Sequence, residues 1–233
     1  MASLIGTIRS SLGDQWWFLK AAVAVYVLYF TVNQAHQFIA ADMLVIFYGI
    51  VGILFLGYAA VSMNRNINNN YPLYPGISNI LDIIIKSIGS IFTVLTGLLI
   101  TWSIIYLLSI ISVPNTVKNI FYVLAVLFMT PFTIIPLVLY SARGKFTDAF
   151  RLGIIFSSAG NFIMNFILFA LQFAVVFVLS YICLAQFLNQ MFGANHISVE
   201  ILRYLYYVIS FFTSMVYFSD LYDDVIPKIE SKN

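Results

Sequence analysis

Charge is scarce in this chain. Eleven basic and nine acidic residues are spread over 233 positions, 62% of the residues are hydrophobic, and mean hydropathy is +0.97. A soluble globular chain is about one-quarter charged, whereas this one is 9% charged. In water it could not cover its apolar surface with polar groups, and a bilayer is the solvent that suits it. The net charge of +2 and the lack of any basic run exclude a surface that tracks nucleic-acid phosphates. The single cysteine, Cys183, excludes an internal disulfide. The only histidines, His36 and His196, lie in polar connections, so no span carries an axial ligand for a haem. GxSxG, HExxH and P-loop patterns are missing. No cofactor and no enzymatic activity are expected.

Long apolar segments fill the rest. A helix that crosses a bilayer needs about 20 mostly apolar residues, and six segments qualify: 16–32, 43–63, 88–113, 120–140, 161–187 and 199–218. The first is weakened by Lys20, which is expected to snorkel to the headgroups beside Trp16 and Trp17. No small-x-small site follows it at once, so it is read as an uncleaved span and not a signal peptide. The predicted fold is all-α, a polytopic transmembrane helical bundle of six spans, forming a single integral membrane domain over residues 1–233.

Basic residues orient the spans. With the N-terminus inside, Arg9, Lys20, Arg65, Lys86, Arg143, Lys145, Arg151, Lys228 and Lys232 fall on one side, and only Lys118 and Arg203 on the other. The positive-inside rule then predicts a cell-membrane protein with both termini cytoplasmic.

Two cytoplasmic connections share a pattern. The stretch NRNINNNYPLYPG, 64–76, combines asparagines, which favour turns, with Pro72 and Pro75, which cannot continue a helix. It is expected to end the second span and run along the membrane surface. Ser78 is a predicted N-cap for an interfacial helix, with Ile80, Leu81, Ile84, Ile85 and Ile88 at helical spacing and Asp82 and Lys86 paired at i, i+4. After the fourth span, Arg143, Gly144 and Lys145 break the helix. Thr147 can cap, Phe146, Phe150, Ile154 and Ile155 recur at helical spacing, and Asp148 and Arg151 supply the polar pair. Leu4, Ile5, Ile8 and Leu12 offer a third short amphipathic helix on the cytoplasmic side. The pattern predicts a weak internal repeat of 43–113 in 120–187, although any basic loop near a bilayer looks similar.

The succession GY at 57–58, NRN at 64–66, YPLYPG at 71–76, ILDIIIKSIG at 80–89, GKFTDAFRLG at 144–153 and FSDLYDD at 218–224 resembles a family of uncharacterised multi-pass membrane proteins of bacteria and archaea, a domain of unknown function. The resemblance covers about Gly57 to Asp224. It implies a membrane-embedded helical fold and brings neither an activity nor catalytic residues.

The spans hold few polar groups. An ionisable residue at mid-bilayer is a functional signal, but every acid falls in a loop or near a span end. Asn161, Asn165 and Gln172 share one face of the fifth span, and the fourth carries Thr130, Pro131, Thr133 and Pro136. Proline frees backbone carbonyls, which must find partners or line a wet cavity. These residues define a possible polar seam between spans four and five; ordinary proline kinks and interhelical hydrogen bonds are the favoured account of them. Gly89, Thr93, Gly97 and Thr101 form a small-residue row on span three, and Gly49, Gly52 and Gly57 lie on span two. Both rows read as close helix packing, within the chain or at a self-association seam. His36, Asp42, His196 and Glu200 share the outer side, but only sidedness brings them together, so no metal is expected. Asp220, Asp223 and Asp224 form a lone acidic triplet without a second acidic motif.

Function follows only in outline. The leading expectation is a non-enzymatic membrane component, an assembly or scaffold subunit whose partners are membrane lipids and other membrane subunits or a second copy of itself. The alternative is a small permease or permease subunit for a neutral or lipophilic substrate. A membrane enzyme acting on a lipid-linked substrate through the three aspartates is the remote third.

Overall fold

The computed structural model describes residues 4–14, 16–110, 114–193 and 196–225, and within these it leaves aside the side chains of Asp42, Ile77, Asp148 and residues 223–225. Among the described residues the secondary structure is helical, with no strand. The helices are α1 (Leu4–Leu12), α2 (Trp17–Phe38), α3 (Ala41–Ile67), α4 (Ile80–Ile110), α5 (Asn115–Arg143), α6 (Phe146–Ala149), α7 (Leu152–Phe192) and α8 (Ile197–Val225). Six of them, α2 to α5, α7 and α8, are long and apolar enough to cross a membrane. This suits a membrane-embedded, multi-pass protein. The expected end of span three at Val113, and Lys228, Lys232 and Glu230 at the C-terminus, lie outside the described residues.

Helix lengths exceed the expected spans. At 1.5 Å per residue, the 31 residues of α4 reach roughly 46 Å and the 41 residues of α7 roughly 60 Å. Both outrun a hydrocarbon layer of about 30 Å. The amphipathic stretch expected to feed into span three is continuous with it. A short 3₁₀ turn, Ile77–Asn79, leads directly into the continuous α4. The Ser78 hydroxyl contacts Asn79 Oδ1 at 3.4 Å instead of capping the helix. Nothing between Ile80 and Ile110 breaks the helix, since the isoleucines continue the apolar periodicity without a glycine–proline stop. The second connection does break: α6 is a single turn, and the chain kinks at Phe150 and Arg151 before α7. α1 forms as a nine-residue helix, but Ile5 is 80% exposed while Leu4, Thr7 and Ser11 are buried, so its packed face is partly polar.

α8 is the hub. It touches α1, α2, α3, α5 and α7, while α4 packs chiefly on α3 and α5. One buried cluster joins Leu4 of α1 to Ile135 and Leu139 of α5, Ile155, Phe162 and Phe169 of α7, and Tyr217 and Leu221 of α8. A second joins Ala21 of α2, Ala59 and Met63 of α3, Val138 of α5, and Val208, Phe212 and Met215 of α8, with Leu73 and Tyr74 from the 68–79 connection. Aromatic stacking runs through both, as in Phe169 on Tyr217 at 4.0 Å between ring centroids.

The alternating path gives the bundle two ends. One carries α1, the 68–79 and 144–151 connections and the last turns of α8. It holds Arg9, Lys20, Arg65, Lys86, Arg143, Lys145 and Arg151 and is called the basic end below.

Candidate functional site

The polar interactions of the chain concentrate at the basic end, and the 68–79 connection organises them. Only its first part, 68–71, lies on the surface as expected. After Asn69, in the left-handed conformation that asparagine tolerates, and a cis Tyr71–Pro72 peptide, the chain turns inward. Leu73 is 1% exposed and Tyr74 is fully buried. The Tyr74 ring stacks on Phe212 of α8 with centroids 4.2 Å apart, and its hydroxyl shares a 2.6 Å hydrogen bond with Ser11 of α1. Burial above all pushes the Tyr74 phenol up from its ordinary pKa. The Ser11 hydrogen bond pulls it down, and the Asp14 carboxylate adds to the rise.

Asp14 anchors that plug. Its carboxylate accepts the backbone N–H of Leu73 at 2.6 Å and of Tyr74 at 3.3 Å, and pairs with Lys20 Nζ at 2.7 Å. The Asp14 side chain is 0% exposed and that of Lys20 18%. Lys20 therefore does not snorkel. Its ammonium turns inward to a buried carboxylate that three donors satisfy, because an unpaired buried carboxylate costs more than bending one flexible side chain. Trp16, in a left-handed conformation, provides the turn that brings Asp14 and Lys20 to one side.

The asparagines tie helix ends together. Asn64 Nδ2 donates to the Ser141 carbonyl at 2.7 Å and the Ala142 carbonyl at 3.3 Å. These belong to the last turn of α5, whose carbonyls have no intrahelical donor. Asn66 Nδ2 donates to Ser219 Oγ at 2.6 Å and Asp220 Oδ1 at 2.8 Å on α8. Arg65 Nη1 donates to the Pro72 carbonyl at 2.9 Å, holding the connection against α3. The side chains of Asp223 and Asp224 lie outside the described residues.

Beside this knot lies a cleft of about 530 Å³. Arg65, Asn70, Tyr71 and Pro72 form one side, and Asp82, Ile85 and Lys86 of α4 the other. Lys86 is half-buried, with its ammonium 5.0 Å from the centre of the Tyr140 ring. Asp82, one turn earlier on α4, acts on that ammonium electrostatically, while no hydrogen bond or ion pair reaches it among the described residues.

Other residues singled out in the sequence fall differently. Asn161 and Gln172 are exposed, and Thr130 Oγ1 donates to its own helix at Val126. The Asn165 backbone carbonyl accepts the Tyr217 hydroxyl at 2.9 Å. Pro131 and Pro136 are buried, but α5 meets α7 through Ile135, Val138, Ser158 and Phe162, so the amides and the prolines are not brought onto one polar surface. The carbonyl of Phe132, deprived of its donor by Pro136, faces Gly97. A Cβ there would meet that oxygen at 2.8 Å and would clash with the Thr133 side chain. A Cβ at Gly57 would clash with Ser87 and the Ile83 carbonyl, and one at Gly89 with the Tyr140 ring. Thr93 is fully buried between these contacts, and Thr101 bonds the Gly97 carbonyl at 2.8 Å. Around Gly49 and Gly52 there is open space to 4 Å. At the far end His196 Nδ1 engages Ser198 Oγ at 2.9 Å and its ring stacks on Phe192. Among the described residues no three His, Cys, Asp or Glu side chains converge.

Residue-type reasoning passed over Asp14 and Tyr74. Two signals pointed to them: an acid six positions before the one lysine inside a span, and a Leu–Tyr pair held between prolines in an otherwise polar stretch. No protein-family model, curated protein or solved structure matches the chain, so the resemblance noted in the sequence has no family match behind it.

Proposed function

We propose that this chain is a non-enzymatic component of the cell membrane, an assembly or scaffold subunit that works through helix packing and lipid contact. One observation carries the reading. Four polar side chains of the basic end, Asp14, Asn64, Asn66 and Tyr74, are spent on the fold and join α1, α3, α5 and α8. The long outer helices α4 and α7, by contrast, expose apolar side chains such as Leu99, Trp102, Leu171 and Leu179. The positive-inside bias puts the basic end and both termini in the cytoplasm, with α1 and α6 at the headgroup level.

Purification from native membranes in mild detergent tests this reading. A stoichiometric complex well above the 26.3 kDa of one chain is expected. A monomer that catalyses solute flux in proteoliposomes, with flux abolished by Asn165→Ala or Gln172→Ala, overturns it in favour of a permease. Tags at the two ends that react with impermeant reagents on intact cells overturn the orientation.

A further inference from the structure

The cleft beside the 68–79 connection has a chemistry that the packing of the bundle does not use. Lys86 is half withdrawn from water, with three donors and no acceptor among the described residues. Arg65 gives one donor to Pro72 and keeps the rest of its guanidinium on the same cleft. The exposed Asn70 amide and Tyr71 add neutral polar groups. Two cations that line a cavity of ligand size form an anion site, and a guanidinium with an ammonium matches a phosphate.

The same cleft has an apolar wall. Ile85, 64% exposed, lines it, and Leu81 and Ile88, 71% and 59% exposed, continue the face along α4 at helical spacing. A free inorganic anion gains nothing from that face, whereas a lipid acyl chain does. We propose that the cleft is a binding site for a membrane phospholipid, with the phosphodiester against Arg65 and Lys86 and an acyl chain along Leu81, Ile85 and Ile88. Asp82, the one carboxylate among the described residues that line the cleft, accepts from a donor on the headgroup beyond the phosphate, an ammonium or a hydroxyl. The proposal rests on the bilayer placement of the chain and not on the scaffold reading, because it is read on the isolated protein.

Native mass spectrometry of the full chain, purified in mild detergent and titrated with phosphatidylglycerol or phosphatidylethanolamine, tests it. One tightly held phospholipid is expected. Lys86→Gln lowers its retention about tenfold, the size of one lost ionic hydrogen bond, and Lys86→Arg restores it. Ile85→Glu, on the exposed wall, lowers it without touching the bundle interior. Lys118→Gln, at the far end, leaves it unchanged. Unchanged retention in both Lys86→Gln and Ile85→Glu overturns the proposal, as does an equal loss in Lys118→Gln, which signals annular lipid only. Displacement of the lipid by millimolar inorganic phosphate overturns the lipid source and leaves a simple anion site. None of these outcomes depends on whether a partner subunit co-purifies.

Discussion

Asp14 Oδ1 accepts the backbone N–H of Leu73 at 2.6 Å across 59 positions of chain. With Lys20 on the other oxygen, one carboxylate joins the entry to α2 with the connection between α3 and α4. The basic end of the bundle closes around this contact.

Removing that carboxylate is therefore costly. Asp14→Ala leaves two buried N–H groups without an acceptor and Lys20 without its counter-charge. Breaking one side of a buried, hydrogen-bonded pair costs about 3 kcal/mol or more. Thermal unfolding in detergent should show a clear drop in midpoint, with Asp14→Asn, which keeps one acceptor oxygen, falling in between. Equal midpoints for wild type and Asp14→Ala would mean that the plug holds without its anchor.

Tyr74 separates two contributions. Tyr74→Phe keeps the stack on Phe212 and loses the bond to Ser11, for about 1 kcal/mol. Tyr74→Ala also opens a cavity and costs roughly 3–5 kcal/mol. The raised phenol pKa adds a pH dependence. The folded state holds this proton more tightly than the unfolded chain, whose value is 10.0. The contribution is fully present below that value and is lost as pH rises above it, at about 1.4 kcal/mol per unit. Raising the pH from about 9 to about 11 should destabilise the wild type more than Tyr74→Phe, as read from paired melting curves.

The glycines divide into two groups. Gly57→Val and Gly97→Val force side chains into Ser87 and Thr133 and should destabilise by about 1–3 kcal/mol or more. Gly52→Ala meets open space and should be neutral or slightly stabilising, since alanine favours a helix by about 1 kcal/mol over glycine. Matched midpoints in a thermal-shift series would contradict this division.

Asn64 and Asn66 act as struts. Asn64→Ala leaves the Ser141 and Ala142 carbonyls unmet, and Asn66→Ala releases Ser219 and Asp220. Each should cost about 1 kcal/mol. The double variant should be close to additive, because the two amides brace different helices. Hydrogen exchange at the last turns of α5 and α8 checks this directly, with faster exchange expected at the helix each asparagine supports.

Much of the architecture could be read from the chain because membrane spans are local features. About 20 apolar residues in succession reveal a crossing helix without knowledge of any neighbour, and all six appear in the structure. Lys20 marks where that kind of reading stops. Beside two tryptophans it looks like a snorkelling lysine, and only the position of Asp14 turns it inward. The Leu73–Tyr74 pair likewise looked like part of a surface turn, because its partners Ser11, Asp14 and Phe212 lie 59 or more positions away in sequence. Whether the amphipathic stretch before span three stands apart from it is hidden for a related reason. Amphipathic spacing from Ile80 to Ile88 is equally compatible with a separate surface helix and with the first turns of a long one.

Composition and apolar run length were enough to dictate a helical, multi-pass chain and a strong bias of basic residues to one end, since hydrocarbon makes the same demand on every segment that enters it. Which glycines touch a neighbour, where Lys20 turns and what fills the basic end depended on how the helices are rotated and which of them meet. Gly52 and Gly57 are the same residue type five positions apart on one helix, yet only Gly57 faces Ser87. Rotation about a helix axis is set by the partners on all sides at once, and that information exists only in the assembled bundle.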